Sequence, residues 1–203
     1  KKNHPNTKVI TEDITQVKEL NNLLDNKNIT IDGIIGGPPC QGFSLSGNRD
    51  KNDPRNSLFM EFVRFVKYFN PKFFVMENVK GILSMKTKNN DNVKDIIKEQ
   101  FINANYKVEI FILNAAEFGV PQSRERVFFI GYKNSYNFTR EDIEPKGFLF
   151  GDNQITIEQA IMDLPQIKAR EGKEEMEYES GPQNSYQKWI RNGSTKVYNH
   201  IAM

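Results

Sequence analysis

Apolar and polar positions follow one another along the first two thirds of the chain in a pattern that predicts strands and helices in turn. Short apolar runs predict buried strands at residues 31–36, 73–76, 107–113 and 126–132. Apolar positions three and four residues apart predict amphipathic helices at 58–69 and 93–104. A strand at 7–14, followed by a helix, is predicted to precede them. This alternation favours an α/β fold with a parallel sheet, and leaves open an antiparallel last pair at one edge.

The segments between and after these elements are polar. Residues 42–56 are rich in Gly, Ser, Asn and Asp and predict an exposed, mobile loop, with a helix start at Asp53-Pro54. Residues 155–164 predict a short helix, and the charged stretch 166–182 predicts a linker or a segment that becomes ordered on contact. Residues 186–203 regain aromatic side chains without a recognisable fold. We therefore divide the chain into an α/β domain at 1–165, which the resemblance described below implies to be a partial catalytic domain, and a linker with a further region at 166–203.

Composition limits the classes of function. The chain has 203 residues, of which 37% are hydrophobic, enough for one domain with a real core. One cysteine and two histidines argue against a disulfide framework and against a zinc cluster. The absence of a long apolar run or a signal peptide predicts a soluble, cytoplasmic protein without a membrane partner. A net charge of +2 neither indicates nor excludes nucleic-acid binding.

The single cysteine follows the strand at 31–36 directly, in the sequence Gly36-Gly37-Pro38-Pro39-Cys40-Gln41. The prolines cannot donate to a sheet and stiffen the turn, so Cys40 is expected on a rigid corner. Ligands of open α/β sheets bind at this end of the strands. A lone cysteine is more often a small buried hydrophobe, but this corner favours a reactive role.

Three motifs occur in order, each at the start or end of a predicted strand. They are Pro38-Pro39-Cys40-Gln41, Glu77-Asn78-Val79 and Gln122-Ser123-Arg124-Glu125-Arg126. Together they resemble the motifs of the cytosine-5 DNA methyltransferases, in particular the bacterial restriction–modification type. The resemblance implies a Rossmann-like, S-adenosylmethionine-dependent methyltransferase sheet. It also implies DNA binding and DNA methylation, with the extra region starting the target-recognition part.

The resemblance also implies roles for individual residues. Cys40 would add covalently to carbon 6 of a flipped cytosine, because carbon 5 alone is too weak a nucleophile to take the methyl group. Glu77 would hold the base, Arg126 would contact and orient it, and Arg124 would support the site. The expected cofactor is S-adenosyl-L-methionine, with S-adenosyl-L-homocysteine as product and no metal. Its binding residues would be Asp13, Ile14, Gly37, Pro39 and Leu58, and contacts to double-stranded DNA would come from Gln41, Ser44, Arg49 and Arg55.

Part of the family pattern is missing. The glycine-rich Phe-x-Gly-x-Gly cofactor loop is absent, and the chain opens at the strand that would be third in the family. The sheet is therefore expected to be truncated in its N-terminal half, with an exposed edge beside the Cys40 strand. We expect the chain alone to bind S-adenosylmethionine weakly and to be inactive. The remainder would come from a missing N-terminal part, a second copy or a complementing chain.

Other functions stay open at this point. A transfer-RNA cytosine-5 methyltransferase shares the same elements, although Gly42-Phe43-Ser44 looks more like the DNA enzymes. A thiol hydrolase would need a histidine base, and His4 and His200 lie near the termini. The chain could also be a non-catalytic remnant or a partner subunit. Glu77 and Arg126 could then form a plain ion pair at the sheet edge.

Overall fold

A computed structural model describes residues 5–26, 28–39, 58–87 and 89–202. The chain forms two compact units. The first consists of Lys1–Leu113 and Glu125–Pro145, and the second of Asn114–Arg124 and Lys146–Met203. The functional division expected after residue 165 stays a prediction. No helix in the described part is long and apolar enough to cross a membrane.

The first unit is built on a four-stranded sheet, counted over the described residues, and confirms the α/β prediction. Its strands are β1 (Gly33–Gly36), β2 (Phe73–Asn78), β3 (Tyr106–Asn114) and β4 (Glu125–Lys133), in the order β1-β2-β4-β3. β1 and β2 are parallel, whereas β2 and β4 are antiparallel. The sheet is therefore mixed, and the antiparallel strand β4 lies inside it, between β2 and β3.

Two helices cover the sheet where the apolar spacing predicts them. They are α1 (Leu58–Phe69) and α2 (Val93–Ile102), and a short helix α3 (Arg140–Ile143) follows β4. Phe74 of β2 is fully buried, and its ring centroid lies 4.0 Å from that of Phe101 and 6.0 Å from that of Phe62. Gly131 pairs with Phe74 across the sheet, and a Cβ there would lie 2.0 Å from the Phe74 ring. Glycine at this position therefore makes room for the central aromatic ring of the core.

The N-terminal predictions were wrong. Residues 7–14 form no strand, and the predicted helix is reduced to a 3₁₀ turn at Leu20–Leu23. A strand needs a neighbour to satisfy its backbone groups, and no described strand lies beside this segment. Val17 and Leu20 are nevertheless buried, so the segment is anchored to the unit by apolar contacts. The loop at 42–56 and the helix start at Asp53-Pro54 lie outside the described residues.

The second unit has its own small sheet, and one of its strands lies in the stretch for which a linker or a segment ordered on contact was predicted. Strands β5 (Gly172–Glu177) and β6 (Lys196–Ile201) pair antiparallel, and α4 (Ile157–Ile161) and α5 (Ser185–Arg191) pack together. Most side chains of β5 are exposed. A strand without a buried face has no apolar alternation, so its composition resembles that of a linker. The stretch at 186–203, which showed no recognisable fold, contains α5 and β6.

A buried ion pair joins the parts of this second unit. Arg191 Nε donates to Asp163 Oδ2 at 2.8 Å, and Arg191 Nη1 donates to the Ser180 carbonyl at 2.8 Å. The guanidinium carbon also lies 3.6 Å from the centroid of the Tyr178 ring. The side chains of Arg191 and Asp163 are only 5% and 3% exposed. The carboxylate, the carbonyl and the ring therefore compensate for the removal of the arginine charge from water.

Candidate active site

A cleft of about 700 Å³ lies in the first unit where β1 ends. Its walls come from the turn at residues 13–15, from residues 34–39 and from one face of α1, where Leu58, Glu61, Phe62 and Phe65 contribute. The lining is mostly apolar, and the volume is within the roughly 300–1,000 Å³ of small-molecule sites. The sequence places the walls far apart, and the tertiary structure brings them to one opening.

All of the predicted cofactor-binding residues line this cleft. They are Asp13, Ile14, Gly37, Pro39 and Leu58. Three separate stretches of sequence supply them. The structure thus brings the set together, while the assignment of a cofactor to it stays a prediction.

The acidic end of the cleft is an ordered turn. Asp13 Oδ1 accepts hydrogen bonds from the Thr15 hydroxyl at 2.7 Å and from the Thr15 backbone N–H at 2.9 Å. These two bonds, the hydroxyl first, lower the pKa of Asp13 below its usual value because they stabilise the charged form. Asp13 therefore presents a carboxylate at neutral pH. Thr15 also lines the cleft, but it was not among the cofactor-binding residues predicted from the sequence.

Glu77 and Arg126 meet at the end of the sheet next to the cleft. Glu77 is the second-last residue of β2 and Arg126 the second residue of β4, and the antiparallel pairing brings these two ends together. Arg126 Nε lies 2.9 Å from Glu77 Oε1. The two side chains are 21% and 39% exposed, respectively, so the pair remains open to a ligand. The sequence predicted both residues, and the structure brings them into contact.

Glu77 also lies against the glycine corner after β1. A Cβ built on Gly37 would lie 3.1 Å from Glu77 Oε2, closer than most real Cβ contacts. A side chain at residue 37 would therefore press on this carboxylate. Since Gly37 lines the cleft, Glu77 lies at the cleft's edge. The glycine thus allows the end of β2 to approach the corner closely.

Asn78 belongs to the motif Glu77-Asn78-Val79, but the sequence analysis assigned it no role of its own. Its side chain is buried, donates from Nδ2 to the Pro38 carbonyl at 3.1 Å, and accepts from the Val79 N–H at 2.9 Å. Asn78 thereby joins the end of β2 to the corner that leads in sequence to Cys40. The available signal was an amide at the end of a strand predicted to be buried, because a buried amide needs hydrogen-bond partners.

Several predicted residues are not brought together by the described structure. The nucleophile candidate Cys40 and the predicted DNA contacts Gln41, Ser44, Arg49 and Arg55 lie outside the described residues. The side chain of Arg124 is exposed and belongs to the second unit, where its backbone N–H donates to Asn114 Oδ1 at 3.0 Å. The roles of these residues stay predictions.

Comparison with known proteins gives a consistent result. The chain is 57% identical over 201 residues to the Type II methyltransferase M.DdeI of Desulfomicrobium norvegicum, covering 99% of this chain and 48% of the relative. It is 42% identical to M1.HphI of Haemophilus parahaemolyticus, covering 83% of this chain and 44% of the relative. The chain thus spans about half the length of these curated relatives.

Solved structures of methyltransferases match the fold of this chain. An E. coli prophage protein, whose crystal structure is described as that of a DNA modification methyltransferase, matches with a TM-score of 0.66 and 28% identity. The match covers 87% of this chain and 49% of that protein. The DNMT2 structure from Spodoptera frugiperda matches with a TM-score of 0.50 and 28% identity, over 72% of this chain and 44% of that one. The predicted methyltransferase fold is therefore confirmed.

The family itself is shown by a model that spans nearly the whole chain. The model of the C-5 cytosine-specific DNA methylases matches residues 1–202. The motifs at Cys40, Glu77 and Arg126 fall within this range. M.DdeI and M1.HphI are both named Type II methyltransferases. The protein belongs to the C-5 cytosine-specific DNA methylase family.

Proposed function

We propose that this chain supplies the catalytic part of a DNA (cytosine-5-)-methyltransferase of a restriction–modification system, acting in the bacterial cytoplasm. The reaction would transfer a methyl group from S-adenosylmethionine to carbon 5 of a cytosine flipped out of duplex DNA. One observation supports this most. The predicted cofactor residues share one cleft, and that cleft is edged by Glu77 and by the corner that precedes Cys40 in the sequence.

The cleft fits the proposed cofactor. Its volume of about 700 Å³ and mostly apolar lining suit an adenosine-containing molecule, and the Asp13 carboxylate offers a hydrogen-bond acceptor at one end. Asp13, Ile14, Gly37, Pro39 and Leu58 would hold it. When bound, S-adenosylmethionine supplies an electrophilic methyl group, and S-adenosylhomocysteine remains as product.

Cys40 would act as the nucleophile. Its thiolate forms a bond to carbon 6 of cytosine, and the electron pair of the 5,6 double bond moves to carbon 5, which becomes nucleophilic. After carbon 5 is methylated, a base removes the proton from that carbon. The electrons of the broken C–H bond restore the double bond, and the thiolate leaves from carbon 6. Cys40 is the only thiol of the chain, so no other side chain can replace it in this role.

Glu77 and Arg126 would hold the flipped base. Glu77 would contact its ring nitrogen and amino group, which favours protonation of the ring while the thiolate adds. Arg126, 2.9 Å from Glu77, would orient this carboxylate and contact the base. Arg124 would support the site, and Gln41, Ser44, Arg49 and Arg55 would contact the DNA around the extruded nucleotide.

We also propose that the 203-residue chain alone binds S-adenosylmethionine weakly and does not methylate DNA. β1 lies at the edge of the sheet, and no described strand pairs with its second edge. Ile35 of β1 is 76% exposed although it borders the cleft. An open apolar edge of this kind supports the need for a complementing segment, from a missing N-terminal part or from another chain.

A chimera tests the catalytic proposal. This chain would replace the 201-residue aligned segment of M.DdeI, and the chimera would be incubated with a 5-fluorocytosine duplex and S-adenosylmethionine. The covalent adduct should form, and Cys40→Ser should abolish it while DNA binding persists. An adduct that survives Cys40→Ser would refute the role of the thiol.

The chain alone tests the other part of the proposal. Methyl transfer would be measured with radiolabelled S-adenosylmethionine on duplex DNA and, in parallel, on transfer RNA. We expect no turnover on either. Turnover on DNA would refute the proposed inactivity, and turnover on transfer RNA alone would replace the proposed substrate.

A further inference from the structure

Arg64 of α1 holds the turn that forms one wall of the cleft. Its Nη2 donates to the Ile14 carbonyl at 2.9 Å, and its Nη1 donates to the Val17 carbonyl at 2.9 Å. These carbonyls lie about fifty residues earlier in the chain. Both belong to the segment that carries Asp13 and Thr15. A guanidinium presents its donors in a fixed plane, so the two bonds define where this turn lies on the helix.

This attachment is the main polar link of the turn. Within the turn, Asp13 bonds with Thr15, and the Gln16 N–H donates to the Asp13 carbonyl at 2.9 Å. Among the described residues, the bonds from Arg64 are the only hydrogen bonds that join residues 13–17 to the rest of the unit. The turn is thus ordered internally, and Arg64 supplies its polar attachment to the unit, beside the apolar contacts of buried Val17.

Glu61 holds the guanidinium of Arg64 in place. Its Oε2 accepts from Arg64 Nε at 2.8 Å and lies 2.7 Å from Nη2, so two nitrogens of the guanidinium face one carboxylate oxygen. The side chains of Arg64 and Glu61 are 34% and 26% exposed, so the pair is partly shielded from water. Glu61 itself lines the cleft. The chain of contacts runs from the cleft wall on α1, through Arg64, to the opposite wall at residues 13–15.

We propose that Arg64, held by Glu61, is a positioning residue for the cleft. It sets the distance of Asp13 and Ile14 from α1 and so determines whether both walls contact one ligand. This inference rests on the proposed use of the cleft for S-adenosylmethionine. Loss of the two bonds to carbonyls should free the turn without opening the core, since Val63 and Val66 of the same helix pack in the core and do not line the cleft.

The test compares three variants of the 203-residue chain. Arg64→Met removes the bonds to both carbonyls and keeps the length of the side chain. Arg64→Lys keeps the charge but lacks the planar fork. Arg140→Met is the matched control, because Arg140 likewise binds one carboxylate, Glu109 at 2.8 Å, and one carbonyl, that of Ile110 at 3.0 Å, without lining the cleft.

Two readouts separate positioning from general stability. Ligand-observed NMR titration with S-adenosylhomocysteine gives the dissociation constant, and hydrogen exchange gives the protection of the backbone amides at residues 13–17. Arg64→Met should weaken binding about tenfold, because a freed turn that occupies the binding position only about a tenth of the time lowers the apparent affinity by that factor. It should also speed exchange in this turn. Arg64→Lys should lie between it and the wild type, and Arg140→Met should change neither readout.

The outcomes are distinguishable. Unchanged affinity and exchange in Arg64→Met would overturn the inference, as would equal losses in Arg64→Met and Arg140→Met. If Arg64→Met does not fold, Arg64→Lys decides by the same two measurements. If the isolated wild-type chain binds too weakly to measure, the same variants are titrated in the M.DdeI chimera. A wild-type chimera without measurable binding would overturn the proposed use of the cleft, and with it the ligand role of Arg64. Even then, faster hydrogen exchange at residues 13–17 in Arg64→Met would show that Arg64 holds the turn on α1.

Discussion

The ion pair of Glu77 and Arg126 has two possible roles: it could stabilise the sheet, or it could belong to the site proposed to hold the base. A double-mutant cycle with Glu77→Gln and Arg126→Met separates these interpretations. At the 2.9 Å distance between the charged atoms, Coulomb's law gives about 1.4 kcal/mol in water. The side chains are 39% and 21% exposed, so screening and lost side-chain entropy reduce the expected coupling to about 0.2–1 kcal/mol.

Urea denaturation of the four proteins of the cycle measures this coupling. The control is a second cycle on Lys80, in the 3₁₀ turn after β2, and Glu125, the first residue of β4; their charged atoms lie 2.8 Å apart. Those side chains are 56% and 49% exposed, and neither residue has a predicted role in the site. We expect both couplings to be small and similar. In the M.DdeI chimera, only Glu77→Gln and Arg126→Met should reduce adduct formation.

A coupling of about 3 kcal/mol or more at Glu77 and Arg126 would refute this reasoning. Such a value is typical of a buried pair whose disruption leaves an uncompensated charge. The pair would then contribute mainly to the fold. Undiminished adduct formation in Arg126→Met would contradict the functional part independently of stability.

Three further predictions concern the two units. Gly131→Ala places a methyl group 2.0 Å from the buried Phe74 ring, and should destabilise the first unit by about 1–3 kcal/mol in urea denaturation. Arg191→Met leaves the buried Asp163 carboxylate unpaired and should cost the second unit about 3–5 kcal/mol, seen as faster hydrogen exchange there; the double variant with Asp163→Asn should recover part of this loss. Burial raises the pKa of Tyr106 to about 12. The folded state therefore keeps its proton while the unfolded state loses it, and stability should fall as pH rises from about 10 to about 12, with a weaker fall in Tyr106→Phe.

Much of the site could be predicted because its chemistry depends on few residue types in a fixed order. A glycine and proline corner before a lone cysteine identifies a strand end by local rules alone. Glu77 ends an apolar run, and Arg126 begins another. The positions matching cofactor residues, such as Asp13 and Leu58, followed from the family resemblance and then proved to share a cleft. No role was predicted for Asn78 or Arg64, because each acts through hydrogen bonds to carbonyls that are distant in the sequence.

The sequence by itself determined the elements with a strong apolar period, namely the strands of the first sheet and helices α1 and α2, together with the family. Burial of one face leaves a periodic record in the residues, so such elements can be recognised locally. Only the tertiary structure decided that β4 lies antiparallel inside the sheet, that the polar stretch at 172–177 is a strand, and that residues 7–14 are not. Each of these features depends on which backbone segment pairs with the residues in question. Hydrogen bonds between backbones do not require particular side chains, so the sequence does not reveal them.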